Sequence, residues 1–158
     1  MKVTIIDGQG GRMGQMLIEK IRNANLPCEI TAIGTNSIAT TVMLKAGADA
    51  GATGENPVAV ACRNADVIVG PIGIIAADAL LGEVTPAMAV TVAQSKAMKL
   101  LLPVNLCNKI IVGTATLSLS KLIAEAVDVL AEMAKANNAE RLMPENHNEP
   151  AGGQMPMS

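Results

Sequence analysis

The sequence predicts a single α/β domain, a mostly parallel sheet flanked by helices, and three observations predict it. The apolar run Val3–Ile6 passes through Gly8-Gln9-Gly10-Gly11 into an amphipathic helical pattern. Strand-like and helix-like patterns then alternate along the chain, as in a Rossmann-like fold. The 158 residues suffice for one sizeable core and are too few for the two-domain plan of most complete dehydrogenases. The expected division is a nucleotide-binding domain over residues 1–116, a C-terminal amphipathic helix over 117–137 and a disordered tail over 138–158.

Val3–Ile6 is apolar apart from Thr4, which suits a strand buried on both faces and argues against a signal or transit peptide at this position. In the following helix Met13, Leu17, Ile18 and Ile21 form an apolar stripe, and Asn23–Pro27 ends it. Cys28–Ile33 reads as a second strand ending at Gly34. Thr35-Asn36-Ser37 then caps a short helix that reaches Lys45 and stops at Gly47.

The Gly- and Ala-rich stretch 47–54 favours no element. Asn56-Pro57 opens a helix through Arg63, and Asp66–Gly70 is a buried strand. Beyond a Pro71-Ile72-Gly73 loop the pattern predicts a helix over Ile74–Leu81, and Thr85-Pro86 caps another running to Gln94. Met98–Val104 and Lys109–Val112, joined by Asn105–Asn108, are spaced for an antiparallel hairpin at a sheet edge. Leu119, Leu122, Ile123, Ala126, Val127, Leu130 and Met133 mark one face of a helix that fades at Asn137-Asn138. That helix either covers the sheet or pairs with another subunit. Arg141–Ser158, with His147, lacks periodicity.

Composition narrows the function classes. The net charge is −2 and the basic residues are scattered among acids, which argues against nucleic-acid binding. Apolar stretches are broken well before the ~20 residues of a membrane span, so a soluble, cytoplasmic protein is expected. Cys28, Cys62 and Cys107 form no C-x-x-C pair and indicate neither a disulfide framework nor a metal site. The chain has no Phe, Tyr or Trp, so no aromatic platform can stack a base or a flavin. Its ten Met help to fill the core instead.

The strongest candidate site is the turn itself. A phosphate needs convergent N–H donors with no side chain in the way, and a glycine turn entering a helix supplies both, with the helix dipole favouring an anion. Gly8, Gln9, Gly10, Gly11, Arg12, Met13 and Gly14 occupy those positions. The spacing departs from strict G-x-G-x-x-G, because Met13 stands where the third glycine belongs. A purely steric need for the glycines is the competing reading.

An NAD site usually carries an acid about 20 residues past the turn to hold the ribose diol. Gly34-Thr35-Asn36 stands there, and no basic residue in that loop offers to pair an NADP phosphate. Arg12 in the glycine turn could approach that phosphate, so the choice between NAD and NADP stays open, with Thr35 and Asn36 as ligand contacts. Gly70, Pro71, Ile72 and Gly73 lie beyond a later strand, where ligands collect in doubly wound sheets, although a rigid turn would look the same. Asp7 reads as a structural turn acid, since a carboxylate beside a phosphate repels it. No catalytic constellation is evident, and Cys107 is the one thiol worth testing, with Asn105 and Asn108 beside it as possible donors.

The run Gly8-Gln9-Gly10-Gly11-Arg12-Met13-Gly14 resembles the nucleotide turn of dihydrodipicolinate reductases, which implies a nicotinamide dinucleotide. That resemblance ends with the first β-α unit, because the catalytic domain's histidine pair and lysine motif are missing. A longer resemblance joins Asp7–Gly11, Gly34–Asn36, Met43–Asp49, Gly51–Asn56, Gly70–Ile74 and Leu102–Asn105. Over about residues 1–113 these are similar to a family of small bacterial proteins catalogued as a domain of unknown function, which implies a Rossmann-like fold.

Two functions follow as expectations. The first is binding of a phosphate-containing small molecule of the NAD(P) kind; the second is a non-enzymatic oligomeric or regulatory module in which the glycine turn is only structural. The Met- and Ala-rich C-terminal helix favours association, with a homodimer as its commonest form.

Overall fold

A computed structural model describes residues 1–104 and 109–142. In chain order the elements are β1 (Lys2–Asp7), α1 (Arg12–Asn23), β2 (Glu29–Gly34), α2 (Ser37–Lys45), β3 (Ala50–Thr53) and α3 (Glu55–Asn64). There follow β4 (Val67–Pro71), a 3-10 turn (Ile72–Ile75), α4 (Pro86–Gln94), β5 (Met98–Leu102) and α5 (Leu119–Leu142).

The five strands form one parallel sheet in the order β3-β2-β1-β4-β5. The chain begins at the centre, builds outward through β2 and β3, then crosses back to place β4 on the other side of β1. Strand order reverses between β1 and β4, and the crevice beyond their carboxyl ends is where ligands gather in such sheets. The expected Rossmann-like α/β class is the one observed.

Side chains alternate across the sheet, so each strand feeds two cores. Val3, Ile5, Ile30, Ala32, Val67 and Val69 meet Leu17, Ile18 and Ile21 of α1, Ala39 and Met43 of α2, and the apolar stripe of α5. Ile6, Ile33 and Ile68 meet Val58 and Cys62 of α3 and Met88, Ala89 and Val92 of α4. The last turn of α1 is tied to the strands by Arg22, which donates to the carbonyls of Gly47 and Cys28 and pairs with Asp49 at 2.8 Å. Asp49 in turn accepts from the N–H of Ile30 at 2.6 Å.

Several expected elements are corrected. The undecided stretch 47–54 contains β3, an exposed edge strand paired to β2 in the register Thr31↔Ala50 to Gly34↔Thr53. There is no antiparallel hairpin among the described residues: Met98–Leu102 runs parallel to β4, with α4 as the crossover, and residues 109–112 form no strand. Apolar runs reveal burial but carry no strand direction. Asn105–Asn108, with Cys107, lie outside the described residues.

The expected helix over Ile74–Leu81 is instead the 3-10 turn followed by tight turns. Asp78, Leu80 and Leu81 have φ of 61°, 55° and 57°, a left-handed backbone that a right-handed helix cannot contain. The segment folds on itself through Asp78 N–H to the Val84 carbonyl at 2.8 Å and buries Ala79, Leu80 and Val84. α3 begins at Glu55 after Gly54 rather than opening at Asn56, whereas the caps of α2 and α4 are as expected. Asn36 accepts from the N–H of Ala39 at the start of α2, and Thr85 does the same for Met88 at the start of α4.

The C-terminal helix covers the sheet. Leu122, Ile123, Ala126, Val127 and Leu130 are buried against α1 and β5. α5 also continues to Leu142, past the Asn137-Asn138 pair where the sequence pattern fades. Residues 143–158, with His147, lie outside the described residues.

Leu130 is wholly enclosed, so Leu130→Ala leaves a cavity and should destabilise the fold by about 2–5 kcal/mol. Calorimetric unfolding measures this, and a loss below about 1 kcal/mol would mean that α5 is not anchored as described.

Candidate functional site

β1 delivers the chain to the crevice at Asp7, and Asp7 then fixes the turn. One of its carboxylate oxygens accepts from the N–H of Gly8 and the other from the N–H of Gly14, each at 2.8 Å. The turn closes through Gly11 N–H to the Gly8 carbonyl at 2.9 Å. Burial pushes the Asp7 carboxyl above its ordinary value, and the N–H groups of Gly14 and Gly8 oppose that rise. Asp7 is thus turned inward and points its acceptors at the backbone.

The glycines divide by role. Gly11 has φ of 69°, and a Cβ there would lie 2.8 Å from the Cα of Ala39, so the close seat of the turn on α2 needs glycine. A Cβ at Gly14 would meet the Met43 side chain, and Met13 points into the core. At Gly10 a Cβ would meet nothing within 4 Å. The N–H groups of Gly10 and Arg12 have no acceptor among the described residues, and the Arg12 side chain is exposed. These groups stand at the amino end of α1, where the helix dipole favours negative charge.

The centre of the site is a residue that sequence reading missed. Glu83 reaches over from the β4–α4 loop and accepts three hydrogen bonds on one oxygen, Oε2. The donors are the N–H of Gln9 at 2.7 Å, the hydroxyl of Thr35 at 2.6 Å and the amide of Asn36 at 3.1 Å. Asn36 also donates to the carbonyl of Gln9 at 2.9 Å. Burial pushes the Glu83 carboxyl up, but these donors outweigh it and hold it below the ordinary value. No local pattern marks Glu83, since the turns that carry it depend on three non-glycine residues in left-handed conformations.

The structure therefore brings Gln9, Thr35 and Asn36 together, as the sequence suggests, around an acceptor that the sequence does not suggest. The second predicted cluster stands apart. Gly70 and Pro71 are the last residues of β4 rather than a loop, while Ile72 and Gly73 form the 3-10 turn. Ile72 and Gly73 line a small apolar hollow of about 240 Å³ with Val104, Lys109 and Ile111. Ala79 and Leu80 lie between the two places, Leu80 against Gly8 and Ala79 against Gly73.

A larger hollow of about 620 Å³, lined by Cys62, Arg63, Asp66 and Lys96, lies at the opposite end of the strands, away from the glycine turn. Burial pushes the Cys62 thiol up to about 11, which leaves it protonated and unreactive at neutral pH. Among the described residues no three His, Cys, Asp or Glu side chains are grouped to hold a metal ion, and no helix is long and apolar enough to cross a membrane.

Comparison with known proteins gives a family. The profile described as "Domain of unknown function (DUF3842)" matches residues 2–135, and the chain belongs to that family. The match extends the resemblance visible in the sequence through most of α5. No curated protein matches. Among solved structures, a dodecameric FMN-dependent UbiX-like decarboxylase from Escherichia coli O157:H7 is similar at 12% identity and a TM-score of 0.41. The likeness covers 84% of this chain and 94% of that one, and a similarity so distant carries no functional argument.

Because folding lowers the Glu83 pKa, the stability it contributes is fully present above the ordinary glutamate value of 4.5 and is lost as pH falls through the folded one. The stability difference between the wild type and Glu83→Gln should therefore shrink between neutral pH and pH ~3. Calorimetric unfolding across that range checks it, and a difference independent of pH would show that Glu83 is not ionised on these donors.

Proposed function

We propose that this member of the family binds a nucleotide or dinucleotide of the NAD(P) kind, with a phosphate at the amino end of α1. The N–H groups of Gly10 and Arg12 and the Arg12 guanidinium would hold that phosphate. The observation that carries this reading is that the N–H groups of Gly10 and Arg12, at the amino end of α1, have no acceptor among the described residues, and that nothing crowds Gly10. These donors follow β1, beside the point where strand order reverses, and the helix dipole adds to them.

The geometry amends the expected donor set. The Gln9 N–H is engaged by Glu83 and the Gly11 N–H by the turn itself, so neither is offered to a phosphate. The apolar stripe of α5 is spent within the chain, which removes the main ground for a subunit interface there. We retain a homodimer as the proposed assembly, the commonest form of a closed oligomer. Sedimentation at monomer mass would remove it.

With no aromatic residue for intrinsic fluorescence, calorimetric unfolding against NAD, NADP, ATP, GTP, coenzyme A and inorganic phosphate is the direct test. A ligand at ~100 times its Kd stabilises the fold by about 2.7 kcal/mol, a shift of several degrees. Gly10→Val should abolish that shift and leave the unliganded fold intact, because its side chain enters open space over the free N–H groups. Gly11→Val should fail to fold. No shift with any nucleotide would overturn the proposal.

A further inference from the structure

Dinucleotide sites of this fold hold the ribose with an acid at the end of the second strand, about 20 residues past the glycine turn. In this chain that station is Gly34-Thr35-Asn36, which contains no acid. The structure nevertheless puts a carboxylate against it, because Glu83 reaches Thr35 from 48 residues away along the chain and bonds both Thr35 and Asn36.

We infer that Glu83 reads the ribose: its carboxylate accepts the 2′- and 3′-hydroxyls of the bound nucleotide and disfavours a ribose carrying a 2′-phosphate. The inference rests on the nucleotide-binding reading above and adds to it the residue that sets specificity.

Three features support it. The first is the distribution of acceptors. All three protein donors fall on Oε2, and Oε1 accepts no hydrogen bond among the described residues, so one oxygen is anchored while the other is free to take hydroxyl donors.

The second is charge. The donors on Glu83 are a backbone N–H, a hydroxyl and an amide, all neutral, so its negative charge stays uncancelled. Asp7, whose ionisation Glu83 opposes, is itself an acid. A net negative spot repels phosphate and attracts hydroxyl hydrogens, whereas Arg12 and the end of α1 offer the opposite. The crevice is thereby divided into a phosphate end and a sugar end.

The third is that the carboxylate is held in place. Leu80 and Val84 are buried on either side of Glu83. The segment between them is laced by Gly82 N–H to the Asp78 carbonyl at 3.1 Å, Glu83 N–H to that of Leu80 at 3.2 Å and Val84 N–H to that of Ala79 at 3.1 Å. A surface glutamate without a role requires none of this.

The test is titration calorimetry on the full chain at neutral pH with pyrophosphate, ADP, 2′,3′-dideoxy-ADP and ADP bearing a 2′-phosphate. The wild type should prefer ADP to its dideoxy analogue by about tenfold or more, the scale of charge-assisted hydrogen bonds to a diol. Glu83→Gln should reduce that ratio to under about threefold and raise the relative affinity of the 2′-phosphate form, with pyrophosphate affinity little changed. Glu83→Asp, which keeps the charge and shortens the reach, should also lose the preference for the diol. Thermal unfolding of both variants controls for their fold.

If pyrophosphate binds but the preference for ADP survives Glu83→Gln, the inference fails and the phosphate site stands. If Glu83→Gln tightens all four probes alike, Glu83 is an internal anion competing for the cradle, and the inference fails in that way. If no probe binds the wild type, the nucleotide reading fails and this one with it.

Discussion

The structure turns on the hydrogen bonds that Asp7 makes at the end of β1. A strand and a helix meeting across four residues leave backbone N–H groups stranded beneath the turn, where water does not reach. Asp7 satisfies two of them, at Gly8 and Gly14, and so sets the angle at which α1 leaves the sheet. Everything on that face follows from the angle. Leu17, Ile18 and Ile21 reach the sheet, Gly11 settles on Ala39 of α2, and α5 closes over α1. Burial opposes ionisation of Asp7, and the two N–H donors are the compensation that the fold supplies.

That arrangement places two carboxylates on one turn, and their contrast explains the site. Asp7 lies beneath it and serves the fold, while Glu83 lies outside it and serves the crevice. Burial and the nearby Glu83 charge raise the pKa of Asp7, whereas that of Glu83 is lowered, because it is nearer water and has three donors on a single oxygen. The inward acid is the structural turn acid that the sequence suggests. The outward one changes what the glycines offer, since it engages the Gln9 N–H, while those of Gly10 and Arg12 have no acceptor among the described residues. Of the four glycines in the turn, Gly8, Gly11 and Gly14 are explained by close packing. Only Gly10 has no steric reason, and it is the one beside the free donors.

How much was legible in the sequence depended on how local the cause was. β1, the turn and α1 follow from an apolar run, glycine spacing and a helical stripe, all within 23 residues of the start. The Asn36 and Thr85 caps are equally local, since each side chain acts on an N–H three residues away. β3 was hidden because Ala50, Gly51, Ala52 and Thr53 form an exposed edge with no apolar alternation. β5 was visible as a strand but not in direction, because its partner, β4, lies across a crossover helix. The turns after β4 were lost for a different reason. Asp78, Leu80 and Leu81 adopt backbone conformations that residues of their type seldom adopt, and burial of Ala79 and Leu80 is what holds them there.

The same cause links that hidden loop to function. Alternation of strands and helices can specify a parallel sheet and a crevice, and many sequences share that pattern without sharing a ligand. What distinguishes one crevice from another must come from segments that break the pattern, and residues 76–84 are the described segment that does so at this end of the sheet. They bury Ala79, Leu80 and Val84, abandon helical geometry and carry one charged group past β1 to Thr35 and Asn36, at the end of β2. The departure from local preference and the placement of Glu83 are thus one structural fact, and the chemistry of the site is set where the sequence is least predictable from its neighbours.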